Sequence, residues 1–308
     1  MATYITSSLA NTMGFNPSIW AQEALPILRD NLGLAKVVAK DSDFGEGAFA
    51  AYGQTLNVGY AGTFATQHKT ANTLLTAAVP TGGTSVSVTL NKHKVVPFVI
   101  EDIAQAQSNQ NLMQRLLEPA VVALAEQVES DLFGLYTSLT GASTGTSGTD
   151  IASANIRTAR KTLNDAKAPQ ADRHLFVSDK DEIALLGDTS LATYFAYAQA
   201  QAVETGGVPD LYGFQVHQSQ LVPVVAGTPA STKNLAIHKN AFVLATRPVR
   251  PANVGDTVVS AMIQDEVSGL VLNMQAQYNI QAMGLWVNLS ILYGVAALRP
   301  DQGLVVLA

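Results

Sequence analysis

The stretch Glu204 to Gln220, ETGGVPDLYGFQVHQSQ, decides how the rest of this chain is read. A Gly-rich turn leads into Leu211-Tyr212-Gly213-Phe214 and then into an alternating run, Val216-His217-Gln218. The stretch has no nucleophile motif, no metal-ligand spacing and no phosphate-binding glycine loop. It therefore points away from catalysis.

Composition agrees. The chain has 308 residues, enough for one large or two ordinary domains and a sizeable core. Hydrophobic residues make up 47% and charged residues 14%, against about 25% charged in ordinary soluble domains. A surface that meets other copies of itself needs fewer charges than one that meets only water. The net charge of −6 argues against a surface that grips nucleic acid, which needs clustered Lys and Arg. It leaves open a container whose wall must not bind its contents tightly. There are no cysteines, so disulfides and thiolate metal sites are excluded. The N-terminal residues MATYITSSLANTMGF lack the basic and apolar regions of a signal peptide. The most apolar long segment, 284–298, carries Asn288 and Ser290 and is too short to span a bilayer.

Residues 1–17 read as a polar arm. Ser18 to Leu25 predicts a short helix that Pro26 kinks or ends. Residues 41–84 are rich in Gly, Thr and Ala and predict a long two-stranded excursion with little core of its own. Ser85 to Leu90 and Val95 to Ile100 read as strands, with Pro97 placing the second at an edge or a bulge. A helical period follows from Glu101 to Leu139. Leu112, Leu116, Ala120, Leu124, Val128 and Leu132 form its stripe, and Pro119 predicts a kink or a helix start. GASTGTSGT at 141–149 reads as a flexible link. Beyond it come a helix over 151–166, a strand at 173–177, a helix capped by Ser178, and a helix or ordered loop over 189–205. Strand-like runs continue to Leu307.

Chemistry is hard to place on this pattern. No two of the five histidines lie three or four residues apart, so no metal-binding helix face is written in the sequence. Glu101-Asp102 and Ser178 to Asp181 read as acidic helix starts favoured by the dipole. Trp20 and the cluster Tyr194 to Tyr197 read as core or interface aromatics. Arg247, Arg250 and Arg299 sit beside prolines and suit interface pairing with carboxylates as well as plain solvation. No catalytic residue, cofactor site or metal site emerges.

Several segments resemble, in order, the major capsid proteins of tailed bacteriophages with the HK97-like fold. Tyr52 to Val58 resembles the entry to the extended loop of that family, with Gln54 where an acid is common. Residues 86–100 are similar to its paired strands, and PAVVALAEQVESDL from Pro119 to Leu132 to its spine helix. There Glu129 replaces the first acid of the family pattern and Asp131 keeps the second. Arg173 to Ser178, Gly206 to Gln220, Asn234 to Arg247 and the close Tyr293 to Asp301 extend the match from about residue 18 onward.

The resemblance implies an α+β chain in five parts. These are an N-terminal arm and short helix (1–40), an extended loop (41–84), a peripheral domain with the spine helix (85–150), an axial domain (151–255), and returning strands that complete both domains (256–308). It implies a structural protein without enzymatic activity or cofactors. Copies would form the hexamers and pentamers of an icosahedral virion capsid around double-stranded DNA. Assembly would take place in the bacterial host cytoplasm through a procapsid, with a scaffolding protein, a portal and in some relatives a decoration protein. No membrane is implied. Trp20, Lys69, Glu126, Glu129, Asp131, Arg247, Arg250 and Arg299 are the expected contacts between subunits, with the three acids facing a neighbour's extended loop at Lys69. The alternatives are an encapsulin-type shell, a soluble α/β enzyme with a dispersed site, and a surface adhesin or tube protein.

Overall fold

In the computed structural model the described residues are 17–40, 55–60, 62, 64–77, 79, 84–102, 112–188, 191, 208–249 and 258–308. The arm before residue 17, most of Gly206 to Gln220's leading turn and the segment 192–207 lie outside them. Two six-stranded sheets and five helices carry the fold among these residues.

Helix α1 spans Pro17–Asn31. Ala24, Leu28 and Leu32 recur every four residues and are buried against the main core. Pro26 falls on the exposed face, and the helix continues past it to Asn31. Of the two expected effects, kink or early end, the early end is absent, because the buried stripe on either side outweighs one lost backbone bond. A second short helix, α2, follows at Leu34–Val37.

The long helix α3 spans Leu112–Phe133, 22 residues, or about 33 Å. Pro119 sits inside it and neither starts nor ends it. Leu117, Ala120, Val121, Leu124, Ala125, Val128 and Leu132 are buried. Leu116, on the expected stripe, is 37% exposed. A strict four-residue row drifts about 40° per step around a helix of 3.6 residues per turn, so the row leaves the core before its N-terminal end.

The first sheet is built on β13 (Gly284–Ala297). One edge of β13 carries β4 (Lys92–Glu101) along residues 284–293. The other carries β12 (Val271–Asn279) along 284–291 and β10 (Phe242–Arg247) along 292–297. Both β4 and β10 pair with Leu292 and Tyr293, so β10 and β12 lie end to end on the edge opposite β4. The Thr246 hydroxyl stitches that seam, accepting from the Val271 N–H at 3.4 Å and donating to the Leu292 carbonyl at 3.1 Å. Strands β11 (Val259–Gln264) and β1 (Ala39–Lys40) complete the sheet. Among the described residues β4 has no second strand neighbour, which fits Pro97 inside it.

Strands β2 (Thr55–Tyr60) and β3 (Thr84–Thr89) pair antiparallel as a separate ribbon, so the strand read at Ser85 to Leu90 pairs back onto 55–60 rather than with Val95 to Ile100. Leu56, Val58, Val88 and Leu90 pack its base on Val243, Ala245 and Leu298.

The second sheet runs β5 (Thr144–Gly145), β14 (Gly303–Leu307), β9 (Ser231–His238), β6 (Arg173–Val177), β7 (Gln215–Gln218), with β8 (Val224–Val225) also on β9. The link at 141–149 is thus not merely flexible: β5 within it pairs parallel with β14. One face of this sheet packs on α4 (Ser153–Asp165) and α5 (Asp179–Leu186) through Ile156, Leu163, Leu175, Leu185 and Val306. The other gives Phe176, Leu235 and Ile237 to the main core, which also holds α1, α3 and the first sheet. Ser178 caps α5 as read from the sequence, accepting from the Asp181 N–H at 3.3 Å.

Where β3 ends, it passes over Gly294. A Cβ at that position would lie 2.3 Å from the Thr89 carbonyl oxygen. Gly294→Ala must displace backbone, and we expect a loss of about 1–3 kcal/mol in chemical denaturation of the unassembled chain. Wild-type stability in that variant would mean the ribbon is not held at this crossing.

Candidate assembly surfaces

Glu129 stands in the middle of α3 and is 2% exposed. The chain turns sharply from α1 into α2 and leaves the N–H groups of a new helix start unpaired, with Leu34 and Ala35 fully buried. Glu129 Oε1 accepts from Gly33 N–H at 3.0 Å and Ala35 N–H at 2.9 Å, and Oε2 accepts from Leu34 N–H at 2.9 Å. Burial pushes the Glu129 carboxyl up from the ordinary Glu range, while the three backbone donors and the Lys36 charge pull against it. The sequence-based expectation that Glu129 faces a neighbouring subunit is corrected: its oxygens are spent inside its own chain.

Asp131 is likewise engaged within the chain. Its Oδ2 accepts from the Tyr293 hydroxyl at 2.5 Å and its Oδ1 pairs with Lys92 Nζ at 2.9 Å. Burial alone would raise the Asp131 carboxyl, but these two bonds outweigh it and hold it below the ordinary Asp range. The Tyr293 phenol is pushed well up by burial and by the same carboxylate. Asp131 thus ties α3 to the β4–β13 ladder, where Lys92 and Tyr293 are register partners.

A third carboxylate, missed in the sequence, ties α1 to the β11–β12 turn. Asp265, 1% exposed, accepts from Arg29 Nη2 at 2.7 Å and Nε at 3.1 Å, from the Ser268 hydroxyl at 2.6 Å and from the Ser268 N–H at 2.8 Å. Burial works against its charge, and the Ser268 and Arg29 bonds overcome it, so its carboxyl lies below the ordinary range.

Trp20 is half-buried against the main core. Arg247 is 7% exposed, and its Nη1 donates to the Thr246 carbonyl at 3.0 Å. Its buried place at the end of β10 corrects the reading of a surface arginine. Arg299 is half-buried beside the turn at Pro300–Gln302. Arg250 lies outside the described residues. Of the expected contacts, Glu126 and Lys69 are exposed. Lys69 donates within its own loop, to the Thr70 carbonyl at 3.0 Å and to that of Thr73.

Two apolar surfaces stand out instead. In the described part of the extended loop Phe64, Leu74, Leu75 and Val79 are 64, 100, 60 and 81% exposed. On the first sheet, the face turned away from α3 bears an open groove of about 330 Å³. Val95, Pro97, Trp286 and Asn288 line it with Gln275 and Gln277. Period-two patterning marks that face as half-buried but not as apolar, because Asn288 and the two glutamines interrupt it. Among the described residues no group of His, Asp and Glu could hold a metal ion, and no helix is long and apolar enough to cross a membrane.

Residues 83–306 match the model of a family described as phage capsid protein. The fold is similar to that of a chain from Mycobacterium phage Che8, at 17% identity, with 89% of this chain and 90% of that one covered and a TM-score of 0.62. It is similar to the capsid of the cyanophage P-SCSP1u at 14% identity, covering 88% and 86%, with a TM-score of 0.62. It is similar also to the SrpI encapsulin of Synechococcus elongatus PCC 7942, at 13% identity, covering 89% and 85%, with a TM-score of 0.51. No curated protein matches the chain.

Two predictions follow from the buried carboxylates. Glu129→Gln replaces one acceptor oxygen with an amide that cannot receive the Leu34 N–H. It should cost about 1–3 kcal/mol in denaturant unfolding, and an unchanged midpoint would contradict the clasp. Asp131 and Asp265 have depressed carboxyls. Their stabilisation is full above the unfolded Asp value of about 4 and is lost as pH falls through the lower folded values. The Tm of the unassembled chain should drop below that pH, and less so in Asp265→Asn.

Proposed function

This chain belongs to the phage capsid protein family, and we propose that it assembles through its extended loop, which gains a core only when laid on a neighbouring copy. Its role is structural, not enzymatic: it is a capsid shell protein with the HK97-like fold. The finer reading is of hexamers and pentamers closing an icosahedral capsid around double-stranded DNA. It includes assembly in the host cytoplasm with a scaffolding protein and a portal, and the division into arm, loop, peripheral and axial parts. Support comes from the low charged fraction of 14% and from the loop itself.

One observation carries the proposal. A residue such as Leu74, fully exposed in the single chain, forgoes about 1.5–3 kcal/mol of burial. Four such residues on one loop make a surface that a lone molecule has no use for. Glu126, exposed on α3, remains the acid available to a neighbour's Lys69. The encapsulin alternative shares only the fold, whereas the family match favours a virion.

The test is negative-stain electron microscopy with light scattering on the purified chain. Wild type should give uniform closed shells or capsomer rings. Leu74→Asp should remain unassembled with an unchanged circular dichroism spectrum and Tm. Assembly of Leu74→Asp at wild-type yield would refute the loop's role, and a stable wild-type monomer would refute self-assembly.

A further inference from the structure

His174 and His217 are 43 residues apart in sequence, yet His174 Nδ1 lies 3.0 Å from His217 Nε2. The parallel pairing of β6 and β7 sets Phe176 opposite His217 and so puts all three rings on one sheet face. The imidazoles stack at 5.3 Å between centroids and 27° between planes. Phe176 stacks on His217 at 5.0 Å and 24°. Its edge meets Phe133, the last residue of α3, at 5.8 Å and 82°. The histidine pair is thus the far end of an aromatic column that reaches from β7 to the end of α3.

A contact between two imidazole nitrogens needs a single proton: one ring donates and the other accepts. When both rings are protonated every ring nitrogen carries a hydrogen, so N–H is set against N–H and like charges lie about 3 Å apart. The surroundings give little relief. His174 is 8% exposed. Asp172 and Asp210 favour the charged form of His174, while His217 and His238 oppose it. Burial dominates, with the His217 charge next, and together they push His174 down to about 4. Burial also lowers His217, and Asp210 offsets it only in part.

We propose that the His174–His217 contact is a proton-operated latch that holds β7 to β6, and through Phe176 to the end of α3, at neutral pH and releases it in acid. Strand β7 is suited to such control, since among the described residues it pairs only with β6. The sign follows from the lowered values. An unfolded histidine titrates near about 6.5, so the latch is fully stabilising above that pH and weakens as pH falls toward the folded value of about 4. That window lies above the one in which Asp131 and Asp265 are protonated. The latch does not depend on the assembly reading, because both rings belong to one chain.

Hydrogen–deuterium exchange of the full chain tests it, with rates corrected for the intrinsic effect of pH. Protection of 215–218 should fall at least about tenfold between about pH 7 and pH 4.5, while 284–297 changes less than about twofold. His217→Gln keeps a neutral hydrogen-bonding partner for His174 and removes the facing charge, so it should be protected at neutral pH and lose clearly less protection in acid than wild type. His174→Gln, altering the other side of the contact, should behave likewise. The proposal fails if wild-type 215–218 stays protected in acid or opens together with 284–297. It fails equally if acid opening in either variant is as large as in wild type, or if both variants are already open at neutral pH.

Discussion

One buried carboxylate fixes the arrangement of residues 17–40. Glu129 accepts three backbone N–H groups, those of Gly33, Leu34 and Ala35. These are donors that a helix start must place somewhere, and those of Leu34 and Ala35 belong to fully buried residues. With that point fixed, α1 lies along α3, and Ala24 and Leu28 join the core beside Val121, Leu124 and Val128. Strand β1 then reaches Val243 and Leu244 on β10 in parallel register. Arg29 on Asp265 fastens the same helix from the side of the first sheet. Asp131 anchors α3 to β4 and β13. Three acids thus set the frame that the apolar core fills.

The frame explains how a chain with few charges has a defined single-chain fold and still offers a surface for assembly. Its scarce carboxylates are partly spent inward, on orphaned backbone donors and on Arg29, Lys92 and Tyr293. The exposed surface then keeps apolar stretches on the extended loop and in the groove beside Trp286. Long β13 joins the two halves of its sheet by pairing β4 on one edge and both β10 and β12 on the other. The β2–β3 ribbon packs on this sheet through Leu56, Val58, Val88 and Leu90.

Much of this was legible in the sequence. Alternation and β-branched residues located most strands, and the helical stripe located α3. The order of loose motifs located the family, which the match over residues 83–306 establishes. The misses have physical causes. Pro26 and Pro119 sit inside helices rather than at their ends because packing outweighs one missing hydrogen bond. Leu116 left the core because four-residue spacing drifts around a helix. The role of Glu129 could not be read locally, since its partners lie more than 90 residues earlier. Its one signal was an acid flanked by Val128 and Leu132 on an otherwise apolar stripe. The meeting of His174 with His217 was equally hidden, because a parallel pairing across a long connection leaves no spacing rule.

A side-chain-resolution cryo-electron microscopy map of self-assembled particles is the most direct measurement of the central claim. Within each subunit the Glu129 carboxylate should sit on the backbone of residues 33–35 of its own chain, while Leu74 and Leu75 lie buried against an adjacent copy. Density that turns Glu129 toward a neighbouring subunit, or that leaves the loop's leucines in solvent in a closed shell, would contradict it.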